Sequence, residues 1–298
     1  MQGTKCIVLG ANGYIGRHLI RYLCAIRCSV QAIDIHDRSI TPAVPYICAD
    51  IRNTRTLDSI DWNVSYVFFF SGVTGTHAGF DKYEQFVSVN EIGLLNILSI
   101  LRTSGNRPQI VFPSTRLVYE GSEVPLVESA PKCPKTIYAI NKLACEHILE
   151  SYRIAFEIPY TVYRICVPYG NAFDAGYSYG LTGTFLKQAR ENSLITLYGD
   201  GLLRRTLTHV DDVCMHMVEG SADARCLNGT FNIPGQPYSI RTMAEMIAEK
   251  CGAQVRYLEW PPLDLKIESG DTVFNGETLH AIVGRGLAHN FEDWVSAL

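Results

Sequence analysis

Short, mostly apolar runs alternate with amphipathic stretches through the first half of the chain. Residues 6–9, 29–33, 66–70, 109–112 and 160–165 read as strands, and 46–49 as a shorter one. Runs this short and this apolar are the pattern of parallel strands buried on both faces. Between them, apolar residues recur at helical spacing. The run after residue 13 is one such helix. Another is 53–60, with Asn53 or Thr54 at its cap. A long helix is expected over 80–101, carrying Phe86, Val89, Leu94, Ile97 and Leu101, and a further one over 137–155. Strand and helix in repeated alternation predict an α/β fold with a doubly wound parallel sheet. The second half is less regular. It predicts a loop over 169–183, helices over 184–191, 213–220, 240–251 and 290–297, strands over 230–233 and 255–258, and a loop around 261–262. A hairpin-type turn is expected at 198–201.

The first strand runs directly into Gly10-Ala-Asn12-Gly13-Tyr14-Ile15-Gly16. Strand, glycine turn and helix in that order form a pyrophosphate cradle. Gly10 permits the tight turn, Gly13 lets backbone N–H groups approach phosphate, and Gly16 lets the helix pack closely. The second strand ends in Asp34, about 20 residues further on, where a carboxylate accepts hydrogen bonds from both ribose hydroxyls. A carboxylate there repels a 2′-phosphate and favours NAD over NADP, although Arg38 nearby works the other way. Asp50-Ile51 closes the third strand. Ser71-Gly72 makes a small-residue exit from the fourth that lets backbone approach a ligand. Asn90, inside the long helix, is either solvated or caps the strand ends near the cofactor.

Ser114 and Thr115 end the fifth strand, on the side where such sheets bind ligands. Tyr138 and Lys142 follow at i and i+4, on one helical face. An ammonium beside a phenol stabilises the phenolate and lowers the tyrosine pKa. Such a phenolate takes a proton from a substrate hydroxyl while the carbon gives hydride to NAD, and Thr115 holds that hydroxyl.

Together these motifs resemble an extended short-chain dehydrogenase/reductase of the NAD-dependent epimerase/dehydratase family, which acts on nucleotide sugars. Tyr119, Tyr198-Gly-Asp-Gly201, Arg205, His209-Val-Asp-Asp212 and Phe231-Asn-Ile extend the match over nearly the whole chain. The resemblance implies a Rossmann NAD-binding domain over 1–165, with later returns near 206–233, and a smaller α/β substrate domain over 166–298. It implies bound NAD contacted by Gly10, Asn12, Gly13, Tyr14, Ile15, Gly16, Asp34, Asp50, Ile51, Ser71, Gly72, Asn90, Tyr138 and Lys142. It also implies catalysis by Thr115, Tyr138 and Lys142, substrate contacts from Thr115 and Arg205, and a homodimer through the two long helices. Three departures stand out. Arg116-Leu117 replace the Asp-Glu pair that dehydratases of this family place after the catalytic Ser/Thr, which disfavours 4,6-dehydration. Val167 replaces a common Asn. Glu268, rather than an Arg, precedes the late Gly270-Asp271, which leaves Arg204 or Arg205 to meet a diphosphate by bidentate pairing.

Composition narrows the function classes. A net charge of −4 gives no electrostatic case for nucleic acid or an anionic membrane. The 10 cysteines show no zinc-type spacing and suggest a reducing cytosol, with no metal expected. The chain enters its first strand at once, with no room for a signal peptide, and no sequence run looks long enough to span a bilayer. A nucleotide-sugar epimerase in the cytoplasm is the leading expectation. The alternatives are a nucleotide-sugar reductase or dehydrogenase, and a non-catalytic NAD-binding regulatory protein.

Overall fold

The computed structural model describes residues 1–41, 43–173 and 179–298. Its strands are β1 (Lys5–Leu9), β2 (Ser29–Asp34), β3 (Tyr46–Cys48), β4 (Tyr66–Phe69), β5 (Gln109–Thr115), β6 (Tyr160–Ile165), β7 (Val167–Tyr169), β8 (Leu194–Tyr198), β9 (Arg204–His209), β10 (Gly229–Asn232), β11 (Gln236–Ser239) and β12 (Gln254–Leu258). Seven of them form one sheet in the order β10-β6-β5-β4-β1-β2-β3. Every pairing in it is parallel. The order reverses between β1 and β4, so the crevice opens at the carboxyl ends of those two strands.

Alternation along the central strands builds a core on each face. Val8, Phe68 and Val111 pack with Leu19, Leu23, Val213 and Met217 on one side. Ile7, Leu9, Phe69 and Phe112 pack with Leu94, Ile97 and Leu149 on the other. Each fully buried side chain of this kind contributes roughly 1.5–3 kcal/mol. A third core joins Tyr169, Phe185, Ile195, Leu207, Met243 and Phe291, under the small sheets β11-β9-β7 and β12-β8.

Three expectations change. The helix expected over 80–101 is broken at Lys82 (φ −120°, ψ 34°). It resumes at Tyr83–Val87, widens into a π turn over Ser88–Ile92 and continues as Gly93–Ser104. That stretch, Tyr83–Ser104, is long and apolar enough by length and composition to cross a membrane. Here it packs Phe86, Leu94, Ile97, Leu98 and Leu101 into the interior. The turn at 198–201 is no hairpin: β8 pairs in parallel with β12, and β9 pairs with β11 and β7. The turn therefore crosses between sheets, with Gly199 and Gly201 both at positive φ. Of the loop expected over 169–183, residues 174–178 lie outside the described residues. Around them, the chain is strand up to Tyr169 and helix over Gly180–Asn192.

Candidate active site

The glycine loop is shaped by close backbone approach. Gly10 has φ +77°, and a Cβ there would sit 2.5 Å from the Phe70 carbonyl carbon and the Ser71 nitrogen. A Cβ on Gly16 would overlap the Gly10 carbonyl oxygen. The helix that follows, Tyr14–Ala25, has no side-chain cap and no acid in its first turn. Its leading N–H groups are therefore left for an anion. Gly13, Tyr14, Ile15 and Gly16 line a cavity of about 200 Å³ that also holds Ser114, Thr115, Tyr138 and Lys142. A second cavity of about 300 Å³ is lined by Gly10, Asn12, Asp34, Asp50, Ile51 and Ser71. Gly13, Phe70 and Gly72 border both. The resulting groove crosses the β1/β4 switch point, with a carboxylate at one end and the Tyr/Lys/Thr group at the other. These residues fit NAD: uncapped N–H groups for the pyrophosphate, Asp34 for the ribose, and small residues where the backbone must come close.

Side chains hold the groove open. Asn90, 3% exposed in the π turn, accepts the Val73 N–H at 2.8 Å and donates to the Val73 carbonyl at 3.1 Å. It thus fixes the exit of β4 beside the groove. Asp34 Oδ2 accepts the Asn12 N–H at 2.9 Å, and Oδ1 meets His36 Nδ1 at 2.6 Å. Asn12 in turn bonds the Arg38 carbonyl and the Ile40 N–H, so it staples 36–40 to the glycine loop. Arg52 binds Asp50 through three short bonds and holds its carboxyl below the usual range. His36 lines the groove beside Asp34. Its position two residues past the strand's terminal acid was the only sequence signal for it.

At the other end, Thr136 caps the helix Ile137–Phe156, which carries Tyr138 and Lys142. Lys142, 6% exposed, donates to the Pro113 carbonyl at 2.8 Å. Its Nζ lies 4.4 Å from the Phe112 ring centre and 6.0 Å from that of Tyr138. Burial drops Lys142 to about 8, against the opposing pull of Cys145 and Glu146. The phenol of Tyr138 behaves differently from the sequence expectation. Burial pushes it up and Tyr179 adds to this, while the Thr115 hydroxyl pulls it back. In this arrangement desolvation outweighs any help from Lys142. Tyr179, which the motifs did not single out, also stacks on Tyr14 at 4.7 Å and lines the same cavity.

A buried network lies behind the site. Ser114 Oγ donates to Glu146 at 2.5 Å, and Arg164 grips the same carboxylate at 3.0 and 2.5 Å. Arg164 also donates to Tyr119, whose hydroxyl donates to Asn232 on β10. Glu146 follows Lys142 by one more helical turn. The repeat Tyr138, Lys142, Glu146 at i, i+4 and i+8 was the signal that could have found it.

Arg205 is placed otherwise than a diphosphate ligand would need. It is 1% exposed and donates to Glu268 at 2.7 Å and to the Gly270 and Arg204 carbonyls. Arg204 is bound to Asp271 at 2.7 Å. Both cations are thus committed within the chain. Among the described residues, His209, Asp211 and His289 bring ligand-type atoms within 4.8 Å of one another. Those atoms already have partners. His209 Nδ1 accepts the Asp211 N–H, Asp211 pairs with Arg21, and His289 Nδ1 bonds Asp212.

Residues 6–233 match the NAD dependent epimerase/dehydratase family. A dTDP-L-rhamnose 4-epimerase of Burkholderia thailandensis is 25% identical, with 85% of this chain and 83% of that protein covered. A UDP-glucuronate 4-epimerase of Thermodesulfobacterium geofontis is 26% identical, with 89% and 87% covered. Among solved structures, the UDP-glucose 4-epimerase of Thermus thermophilus in complex with NAD superposes with a TM-score of 0.86. It is 23% identical, with 98% of this chain and 96% of that one covered.

Proposed function

We propose that this chain, which belongs to the NAD dependent epimerase/dehydratase family, is a nucleotide-sugar epimerase that works through Thr115, Tyr138 and Lys142. The observation that carries the reading is their convergence with the glycine loop on one cavity. Bound NAD supplies the hydride acceptor and donor that the chemistry requires. Thr115 holds the reacting sugar hydroxyl beside the Tyr138 oxygen. Tyr138 takes the hydroxyl proton as the carbon is oxidised and gives it back after the keto sugar has turned over in the cavity. Lys142, anchored on the Pro113 carbonyl, favours the phenolate in the first half. Burial favours the neutral phenol, the proton donor of the return half. Arg116 and Leu117 follow Thr115, so no carboxylate stands there to drive loss of water.

A homodimer through the two long helices is part of the proposal. It is supported by exposed Tyr83, Val87 and Ile92 on one helix and Ile140 on the other. Ten free thiols support a reducing cytoplasm. The test is a panel of nucleotide sugars followed by NMR, without added nicotinamide. Interconversion under those conditions supports an epimerase that retains NAD. Turnover only with stoichiometric nicotinamide refutes it in favour of a reductase or dehydrogenase.

A further inference from the structure

Tyr179 stands where local preference would place another residue. It is the N-cap of the helix Gly180–Asn192 (φ −81°, ψ 137°) and makes no side-chain bond to that helix. Ser, Thr, Asp and Asn cap well because a short side-chain oxygen reaches the first free N–H groups, and a phenol does not. Breaches of local preference gather at functional positions. What holds this side chain comes from the cofactor side of the crevice. Its ring stacks on Tyr14, with centroids 4.7 Å apart and planes at 23°. Its hydroxyl meets that of Thr74, on the segment leaving β4. Tyr14 is itself tied down, donating its hydroxyl to the Gly170 carbonyl at 2.6 Å. Tyr14, Thr74 and Tyr179 all line the reaction cavity with Thr115, Tyr138 and Lys142. Cys166 and Pro168 border the same cavity beside them. Of these three last residues past β6, Tyr179 alone offers an aromatic face. It leaves 38% of its surface open, yet burial raises its phenol. The open surface therefore looks into the groove, and the hydroxyl is neutral.

We propose that Tyr179 is a specificity-determining residue for the sugar: its ring, braced on Tyr14, is the wall against which the pyranose packs. The inference rests on the reading that a nucleotide sugar occupies the crevice. A pyranose is polar at its rim and presents C–H groups on its faces. The negative face of an aromatic ring receives such C–H groups without directional bonds. That suits a sugar which must offer both of its faces to one nicotinamide. Hydrogen bonds that hold one orientation break as the keto sugar turns, whereas the aromatic contact serves either face. The contact belongs to the sugar rather than to the nucleoside diphosphate, because the ring stands with the proton-transfer residues.

The experiment is titration calorimetry on the NAD-loaded protein and its Tyr179→Leu and Tyr179→Phe variants. The probes are two pairs: UDP-glucose against uridine diphosphate, and dTDP-glucose against thymidine diphosphate. Bound NAD and a thermal melt are measured for each protein, and Tyr179→Met replaces the Leu variant if that one misfolds. Loss of the ring is expected to weaken the sugar nucleotide about fivefold, with the bare diphosphate within about twofold of the parent. Tyr179→Phe keeps the ring and should stay within about twofold for both members of the pair. A sugar nucleotide that binds Tyr179→Leu as tightly as the parent overturns the inference. Equal weakening of both members overturns it too, because the residue then serves the nucleotide or the fold. So does loss of NAD from Tyr179→Leu, because the ring is then a nicotinamide contact. A parent that binds neither pair sinks the nucleotide-sugar reading and takes this inference with it. The expected loss of binding without any sugar interconversion by the parent sinks the epimerase reading alone.

Discussion

Replacing Arg164 by Met leaves the Glu146 carboxylate buried without its guanidinium. The two side chains are only 5% and 8% exposed, and Arg164 supplies bonds of 2.5 and 3.0 Å to Glu146. Water cannot take its place without opening the packing between β5, β6 and the catalytic helix. Removing one partner of such a pair costs about 3–5 kcal/mol, a large share of a total stability of roughly 5–15 kcal/mol. Each kcal/mol lowers Tm by roughly 2–4 °C in a chain of this size, so the expected drop is roughly 6–20 °C. Tyr119 and the Glu128 carbonyl also lose a donor, which keeps the estimate from the low end. The assay is thermal and urea unfolding of Arg164→Met, Glu146→Leu and the double variant. Replacing both partners removes both buried charges, so the double variant should recover most of the loss. A single variant within about 1 kcal/mol of the parent would refute the reasoning, as would a double variant as unstable as the sum of the singles.

Further outcomes follow from other positions. Lys142 is held at about 8, below its ordinary 10.5. The unfolded chain binds the extra proton between those values, so this residue makes stability rise with pH across that window and costs stability in full below it. Lys142→Met should remove that part of the slope, up to roughly 3 kcal/mol between pH 8 and 10.5; urea melts at both ends check it, and an unchanged slope counts against the burial. Gly16→Ala drives a Cβ into the Gly10 carbonyl oxygen. The purified variant should therefore lack NAD when its contents are released and weighed by mass spectrometry, whereas parent-like NAD would contradict the loop's role. Val87→Asp with Ile140→Asp places charge on the exposed apolar helix faces and should yield monomers by sedimentation; an unchanged mass would reject that dimer surface.

The central strands of the large sheet were legible because both faces are buried, and their runs are correspondingly apolar. The small sheets were legible only in β12, expected over 255–258 and found at Gln254–Leu258. Arg204–His209 reads as polar, yet it is a strand whose Arg205, Thr206 and Thr208 are buried against partners distant in sequence. Gln236–Ser239 carries a proline inside a strand, which argues against a strand on pattern alone. The glycines at 199 and 201 marked a turn correctly, but turn chemistry does not say which strands pair. The cofactor end of the site was visible because its residues sit at fixed offsets from strand ends. The role of Arg205 was not, because its partner Glu268 lies 63 residues away and only folding brings the two together. Nor did the Tyr138–Lys142 spacing reveal that burial would raise the phenol. Spacing places the two groups on one face and says nothing about how much water reaches them.

The central claim is that Tyr138 carries the proton of a reversible oxidation at a sugar carbon, with NAD held throughout. The most direct measurement compares the parent with Tyr138→Phe by NMR, on the nucleotide sugar the parent interconverts, with bound NAD quantified in both. The account predicts the same NAD content and nearly complete loss of interconversion in the variant. Undiminished interconversion by Tyr138→Phe would contradict it.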